Sequence, residues 1–509
     1  MFDLVTPTRR DIYLRQDRES AFYFSAVADL VVRKHGYVDV VAGPHSVGGL
    51  PIWCRGVMPG DEATGVSEAP SLDAHPWGVK GEPRSSKALD LYDSSGARLG
   101  KVTYPRFNIR RIPEARGVIS DPELHESRDP RWDVDEFTWS ALDPRPPWET
   151  VAWAAPDDGG PRVPVAASDA SRLLLGLPLL DVLAATHAFA PIRVGYYTTA
   201  RVSSQLGAER WLVSQLARHA IAAGHEVTRV DPWPAGKRSA LTVRHDYDRV
   251  VEPEILTELL DEYDRLGVRS TWCFRLDNLE PAHAQLVADR GHEVALHTIA
   301  ANYEAFEEEV HALSDAVGAP VMGVTAHGGI GSTGFLGMRQ HVWSAAAGLS
   351  YGEMLGRTNG LPHAAVRLSR NRPEWFDLVL PATHLSLDQN MSPEGHHLEV
   401  LARRVPEDLE AGMHAVVMNH PDIHRKQLLE LLRGLDLSAT WCATLAEIAE
   451  WTRAATLAST FDRQRCSVAM REDTPEDLRV TRLTAGGQES YIVPRIAPCG
   501  TTAIGCPPD

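Results

Sequence analysis

The sequence lacks the marks of several large classes of protein. Its cysteines form no CxxC pair, which argues against a disulfide framework and against a zinc site built from thiolates. The six are Cys54, Cys273, Cys442, Cys466, Cys499 and Cys506. The most apolar stretch, residues 173–185, is too short to cross a bilayer and is interrupted by Pro178 and Asp181. We therefore expect no membrane span.

Basic charge is also scarce. The chain has 51 basic and 68 acidic residues, a net charge of -17, with no Lys/Arg run that reverses it locally, so nucleic-acid binding is not expected. Residues 1–20 lack the apolar segment of a secretory signal, which predicts a cytoplasmic protein. The segment "YYTTARVSSQLG" lacks the spaced glycines of a dinucleotide loop, which predicts no NAD.

What is present indicates a globular protein of several domains. An apolar fraction of 43% and a charged fraction of 23% are ordinary values for globular proteins. A chain of 509 residues is too long to fold around a single hydrophobic core. We predict four regions: a β-rich or mixed N-terminal domain (1–190), a βαβ unit with a linker (191–238), a (β/α) barrel (239–455) and a C-terminal β tail (456–509).

Local patterns support these boundaries. Residues 87–107 predict two strands joined by an Asp-Ser-Ser-Gly turn. "IRVGYY", an amphipathic helix ended by Gly224 and "HEVTRV" predict the βαβ unit. In the tail, "SVAM", "LRVTRL" and "ESYIVPRI" predict short strands.

Regular alternation begins near residue 240. Apolar strands are predicted at 241–246, 270–274, 293–297, 321–326, 376–380, 414–418 and 438–441. Helical segments lie between most of them, for example 302–317, 398–411, 444–455 and the one opened by Pro253. Repeated strand–helix units predict a parallel sheet, and seven strands favour a distorted (β/α)7 barrel with its chemistry at the carboxyl ends of the strands.

Ionisable residues cluster at those carboxyl ends. The first predicted strand ends in "HDYD", the third in "HT", the fourth in "HGG", and the sixth is followed by "NHPDIH". Desolvating so many ionisable groups at one rim costs free energy unless they pair or bind a metal. Asp246 and Asp248 project to the same side of an extended segment, and a cation would relieve their repulsion. With His297 from a neighbouring strand, the oxygen and nitrogen donors suit Zn²⁺ or another borderline divalent ion.

Other interpretations exist for each residue. Aspartates are common in turns and helix caps, so the pair alone also predicts a turn. A single histidine on a strand is more often a buried core residue than a ligand, and "HGG" is an ordinary loop sequence. His424 competes with His420 for a role at the rim.

The ordered motifs "LTVRHDYD", "GHEVALHT", "VVMNHP" and "WCATLAEIAEW" resemble those of the polysaccharide deacetylase (NodB-homology) family. The resemblance covers about residues 240–455 and implies metal-dependent hydrolysis of acetyl groups on sugars. It implies that Asp246 is the catalytic base, Asp248 a metal ligand, and His297 the first histidine of the family's H-[ST]-x-x-H motif. The position of the second histidine holds Ala301.

That departure requires another third ligand. We predict His327 in "TAHGG", because it follows the next strand and two glycines allow a sharp turn beside it. The resemblance further implies that His420 is the general acid that protonates the leaving group. No residue matches the family's arginine motif.

Three functions follow from these observations. The first is a metal-dependent deacetylase of an N- or O-acetylated sugar or glycoconjugate precursor. The second is a C–N hydrolase acting on a small-molecule amide that is not a sugar. The third, favoured by Ala301 alone, is a catalytically degenerate barrel that binds glycan.

Overall fold

The computed structural model describes the chain in segments. Residues 227–327 are described without a gap. The other described residues are 31–36, 52–54, 80–86, 88–102, 107–108, 137–156, 159–169, 173–177, 179, 183, 197–198, 203–222, 338–352, 360–368, 373–382, 384–387, 397–454, 460–462, 467–469, 477–493 and 501–503.

The described part of the first 190 residues is rich in β-strands. A six-stranded sheet has the order Ile52–Cys54, Leu173–Leu175, Val163–Ser168, Glu149–Pro156, Leu89–Asp93 and Arg98–Val102. Lys80–Ser86 and Phe137–Asp143 form a separate antiparallel pair. The predicted hairpin is confirmed: Leu89–Asp93 pairs with Arg98–Val102, and the carboxylate of Asp93 accepts hydrogen bonds from the backbone of Ser95 and Ala97 in the turn.

The predicted βαβ unit is wrong in its pairing. The helix is present as Ser203–Ala222, but the strands on either side of it lie in different sheets. Tyr197–Thr198 pairs with Phe107–Asn108, and Val227–Val230 pairs antiparallel with Leu478–Thr484 of the tail. Most of "IRVGYY" lies outside the described residues.

The tail supplies that partner because it forms strands, as expected. Leu478–Thr484 and Gly487–Val493 form a hairpin, and Thr460–Asp462, Ser467–Ala469 and Thr501–Ala503 form a small antiparallel sheet. Strands in the tail were predicted, but their pairing with residues before 239 was not.

The central sheet contains all seven predicted strands. They are Ser239–Tyr247, Ser270–Phe274, Glu293–Thr298, Gly323–Ala326, Pro373–Leu380, His414–Asn419 and Thr440–Cys442. Tyr351–Gly352, His363–Leu368 and His384–Ser386 were missed, and they bring the sheet to ten strands. All its pairings are parallel except that of His363–Leu368 with Pro373–Leu380. Pairing among the described strands does not close the sheet into a barrel.

Helices connect the strands as the apolar spacing predicts. They are Pro253–Leu266, Pro281–Asp289, Tyr303–Val317, Met338–Ala346, His397–Glu410, Arg425–Arg433 and Leu445–Thr452. In the first of them Pro253 occupies the opening turn, Gly267 ends the helix with φ 66°, and Leu256, Leu259 and Tyr263 are buried against the sheet. None of the described helices is long and apolar enough to span a membrane.

This connectivity positions the site. Ser239–Tyr247 lies between Ser270–Phe274 and His414–Asn419, and Glu293–Thr298 is the next strand out. All four are parallel, so their carboxyl ends meet at one edge of the sheet. The chain segments that carry Asp248, His297 and His420 are therefore neighbours in space.

Candidate metal centre

Three histidines surround the carboxylate of Asp248. Its Oδ1 lies 3.3 Å from Nε2 of His297, and its Oδ2 lies 3.3 Å from Nε2 of His327 and 3.2 Å from Nε2 of His420. The structure thus brings together the aspartate and the three histidines that the sequence singled out from four different strand ends. Asp246, the fifth predicted residue, has Oδ2 3.8 Å from Nε2 of His297.

Local structure holds Asp248 at this position. Asp248 directly follows Tyr247, the last residue of its strand. The hydroxyl of Tyr247 accepts a hydrogen bond from the backbone N–H of Val251 and contacts Nδ1 of His283 at 2.6 Å. The side-chain amide of Asn278 donates to the backbone carbonyl of Asp248 at 2.7 Å. The turn is therefore tied on both sides, and the carboxylate remains directed at the histidines.

His327 lies beside His297 at the same edge of the sheet. Its backbone N–H donates to the carbonyl of Thr298, which places it beside the His297 strand, and the two imidazole rings meet edge to face at 5.3 Å. Ala301 is exposed just before the helix Tyr303–Val317. The two glycines after His327 lie outside the described residues.

The donors of Asp248, His297 and His327 fit a divalent ion. One ligand atom of each lies within 4.8 Å of the other two, and among the described residues this is the group with that property. Oδ1 of Asp248 is buried and makes no hydrogen bond in the described chain. Nδ1 of His297 contacts Oγ1 of Thr325 at 2.7 Å, so Nε2 faces the other donors. One carboxylate oxygen and two imidazole nitrogens suit Zn²⁺ or a similar ion.

A buried arginine holds Asp246. Nε and Nη2 of Arg244 donate to its two carboxylate oxygens at 2.8 and 2.6 Å, and the side chains are only 1% and 7% exposed. Arg244 precedes Asp246 by two residues on the strand, so both project to the same face. Sequence reasoning sought an arginine in a separate motif and missed this one, although the period of two within "LTVRHDYD" carried the signal.

The surroundings of both aspartates lower the pKa of their carboxyl groups. Burial raises the pKa of Asp246, but Arg244, His297 and His420 outweigh it and lower that pKa to about 2. Burial also raises the pKa of Asp248, but the surrounding imidazoles of His297, His327 and His420 outweigh it and hold that pKa well below its usual range. Since Arg244 neutralises Asp246, the negative charge available to a cation is that of Asp248.

A second arginine, Arg275, was also missed. It directly follows Ser270–Phe274, and its Nη1 lies 3.2 Å from Nε2 of His327. His424, the predicted competitor of His420, instead precedes the helix Arg425–Arg433 in the left-handed conformation, with φ 52°. Among the described contacts it is His420 that reaches Asp248.

No protein-family model matches the sequence, and no curated protein matches it. Solved structures do show similarity. A protein assigned as a polysaccharide deacetylase in Mycobacterium smegmatis is 18% identical, with a TM-score of 0.35, over 43% of this chain and 92% of that one. The catalytic domain of a peptidoglycan N-acetylglucosamine deacetylase from Eubacterium rectale is 16% identical, with a TM-score of 0.27, over 41% and 90%. A peptidoglycan deacetylase from Bacillus subtilis is 11% identical, with a TM-score of 0.28, over 43% and 93%. All three carry descriptions from the class of enzymes that the sequence motifs resemble.

Proposed function

We propose that the protein is a metal-dependent deacetylase that hydrolyses an N- or O-acetylated sugar or glycoconjugate precursor. The observation that carries the proposal is the convergence of three imidazole Nε2 atoms to within 3.3 Å of one carboxylate, beside a second aspartate. A domain that only binds glycan has no need to desolvate so many ionisable groups together.

Asp248, His297 and His327 would hold the ion. Bound there, a divalent ion supplies a water of lowered pKa and polarises the acyl carbonyl. The role of Asp248 agrees with its buried, unbonded Oδ1, and that of His297 with the contact of its Nδ1 to Thr325. His327 takes the place of the second histidine of the family motif.

Asp246 acts as the general base. Its pKa of about 2 keeps it ionised at neutral pH, so it accepts a proton efficiently only from a water whose own acidity has been raised. Arg244 donates one hydrogen bond to each carboxylate oxygen of Asp246, which fixes the orientation of the carboxylate and of its remaining lone pairs. A water on a divalent ion held by Asp248, His297 and His327 would have such an acidity.

His420 acts as the general acid. The attacking water forms the new C–O bond, the C–N bond of an amide or the C–O bond of an ester breaks, and Nε2 of His420 gives its proton to the departing amine or alkoxide. Nε2 of His420 lies 3.2 Å from Oδ2 of Asp248, which places this ring beside the candidate metal ligands. The products are acetate and the deacetylated sugar.

The substrate class rests on the motif resemblance. The donor geometry alone suits any unactivated amide or ester, so the small-molecule amide hydrolase and the non-catalytic barrel are alternative outcomes of the test. An assay of acetate release should therefore compare N-acetyl sugars, O-acetyl sugars and acetylated amines without a sugar ring.

Metal content is the first experiment. Purified wild type is expected to bind about one divalent ion per chain by elemental analysis, and Asp248→Ala, His297→Ala and His327→Ala each to lose it. His311→Ala, at an exposed histidine on a nearby helix, is the matched control and should retain the metal. Wild type that binds no metal after supplementation would refute the proposed chemistry. Metal binding without acetate release from any sugar would refute the substrate class.

A further inference from the structure

Arg275 stands at the rim of the candidate metal centre. It follows Ser270–Phe274, which lies between two strands of the site. One is Ser239–Tyr247, which contains Asp246 and is followed by Asp248, and the other is Glu293–Thr298, which contains His297. Its side chain is 17% exposed, so most of it is withdrawn from water. The mechanism above does not use this partly buried cation.

Two of its three nitrogens are already held. Nε donates to Oδ1 of Asp277 at 3.0 Å, and Nη2 donates to Oδ2 of the same carboxylate. This bidentate pair fixes the plane of the guanidinium. The third nitrogen, Nη1, is thereby directed at the metal centre, where it lies 3.2 Å from Nε2 of His327.

The contact with His327 competes with a metal ion. A guanidinium stays protonated and has only donors, so Nη1 donates to the lone pair on Nε2 of His327. A metal ion held by His327 through Nε2, the nitrogen that lies 3.3 Å from Asp248, would use the same lone pair. The two would exclude each other, and a loaded site would leave an oriented, partly buried N–H without this acceptor, which costs free energy unless another acceptor arrives.

We propose, on the basis of the proposed function, that Arg275 contacts the substrate. In the loaded enzyme Nη1 donates a hydrogen bond to the carbonyl oxygen of the acetyl group that is cleaved. Negative charge develops on that oxygen as water attacks, and a preorganised cationic donor stabilises it more than the ground state. Arg275 is then a catalytic residue, and Asp277 is the positioning residue that aims it.

The opposite end of the same strand supplies a matched control. Arg269 precedes Ser270, and its Nη1 donates to Glu447 and its Nη2 to the carbonyl of Gly291, both at 2.7 Å. Its side chain is 50% exposed and faces no candidate ligand. Arg269→Met removes the same charge from the same strand, away from the metal centre.

Metal affinity gives the first readout, and it needs no turnover. Chelator competition should show that Arg275→Met binds the metal at least as tightly as wild type, because a competing hydrogen bond and a nearby positive charge are gone. Arg269→Met should match wild type. An affinity that falls tenfold or more in Arg275→Met would show that Arg275 supports His327 as a ligand, which overturns the proposal.

Acetate, the expected product, is the second probe. Calorimetric titration of metal-loaded protein with sodium acetate, against sodium chloride as a blank, should show at least tenfold weaker binding to Arg275→Met than to wild type or Arg269→Met. Equal affinities, or no acetate binding to loaded wild type, overturn the assignment of Arg275.

Turnover separates this inference from the proposed function. In Arg275→Met, kcat/KM for the acetylated sugar should fall about 10²–10³-fold, mostly in kcat, as for other oxyanion donors. Active wild type with an equally active Arg275→Met would overturn the inference and leave the proposed function standing. Inactive wild type whose acetate binding still depends on Arg275 would overturn the proposed function instead.

Discussion

Removal of Arg244 should destabilise the sheet far more than an ordinary surface substitution. Arg244→Met keeps much of the hydrocarbon stem but leaves the carboxylate of Asp246 without its two charge-assisted hydrogen bonds. Both side chains are nearly inaccessible to water, with exposures of 1% and 7%. The cost of stranding one buried charge in this way is about 3–5 kcal/mol.

A double-mutant cycle tests that reasoning. Asp246→Leu strands the guanidinium of Arg244 and should cost a similar amount, whereas the double variant Arg244→Met/Asp246→Leu strands neither charge. We expect the double variant to lose less stability than the sum of the losses in the two single variants, by about 3 kcal/mol or more. The reason is that replacing a whole buried pair by apolar groups is often nearly neutral.

Hydrogen exchange in a urea series is the appropriate assay. Peptides from Ser270–Phe274 report the opening of the central sheet alone, which avoids assuming that a chain of several domains unfolds in one step. The protein should be stripped of metal first, so that changes in metal affinity do not enter. If the two single-variant effects sum to the double-variant effect within about 0.5 kcal/mol, the coupling between Arg244 and Asp246 is refuted, because residues in direct contact should not be additive.

Three further predictions follow. Burial raises the pKa of Glu293 to about 7 from an ordinary value of 4.5, so its contribution to stability is complete below pH 4.5 and is lost as pH rises to about 7. Hydrogen exchange of the Ser270–Phe274 peptides across that window should show a decline of about 3 kcal/mol in the opening free energy of the sheet, and Glu293→Gln should remove it. Gly323→Ala should lower the opening free energy of the central sheet by about 1–3 kcal/mol in the same hydrogen-exchange assay, because an added Cβ would lie 2.0 Å from the buried ring of Tyr351. Thr325→Val should weaken metal binding about 10–100-fold in chelator competition by freeing the ring of His297, and unchanged affinity would contradict that role.

Local pattern was sufficient for the regular elements of the central sheet. The helical spacing of Leu256, Leu259 and Tyr263 predicted the helix Pro253–Leu266, and Pro253 and Gly267 mark its ends. Alternation and apolar runs located all seven predicted strands. Short strands such as Tyr351–Gly352 were missed because two residues carry no period.

Long-range pairing was beyond the same reasoning. "HEVTRV" was correctly interpreted as a strand, yet its partner is Leu478–Thr484, about half the chain away. Strand propensity predicts that a segment forms a strand, but it does not identify the partner strand. The partner depends on which sheet edge the tertiary structure leaves available.

The candidate site divides in the same way. The sequence by itself determined which strand ends carry Asp246, Asp248, His297, His327 and His420, because parallel strands bring such ends to one edge. Only the tertiary structure decided that three imidazoles meet at one carboxylate, and that Asp246 is held by an arginine from its own strand. It also decided that Arg275 faces His327. Such contacts depend on side-chain direction and strand register to within about 1 Å, and neither can be predicted from the spacing of residue types along the sequence.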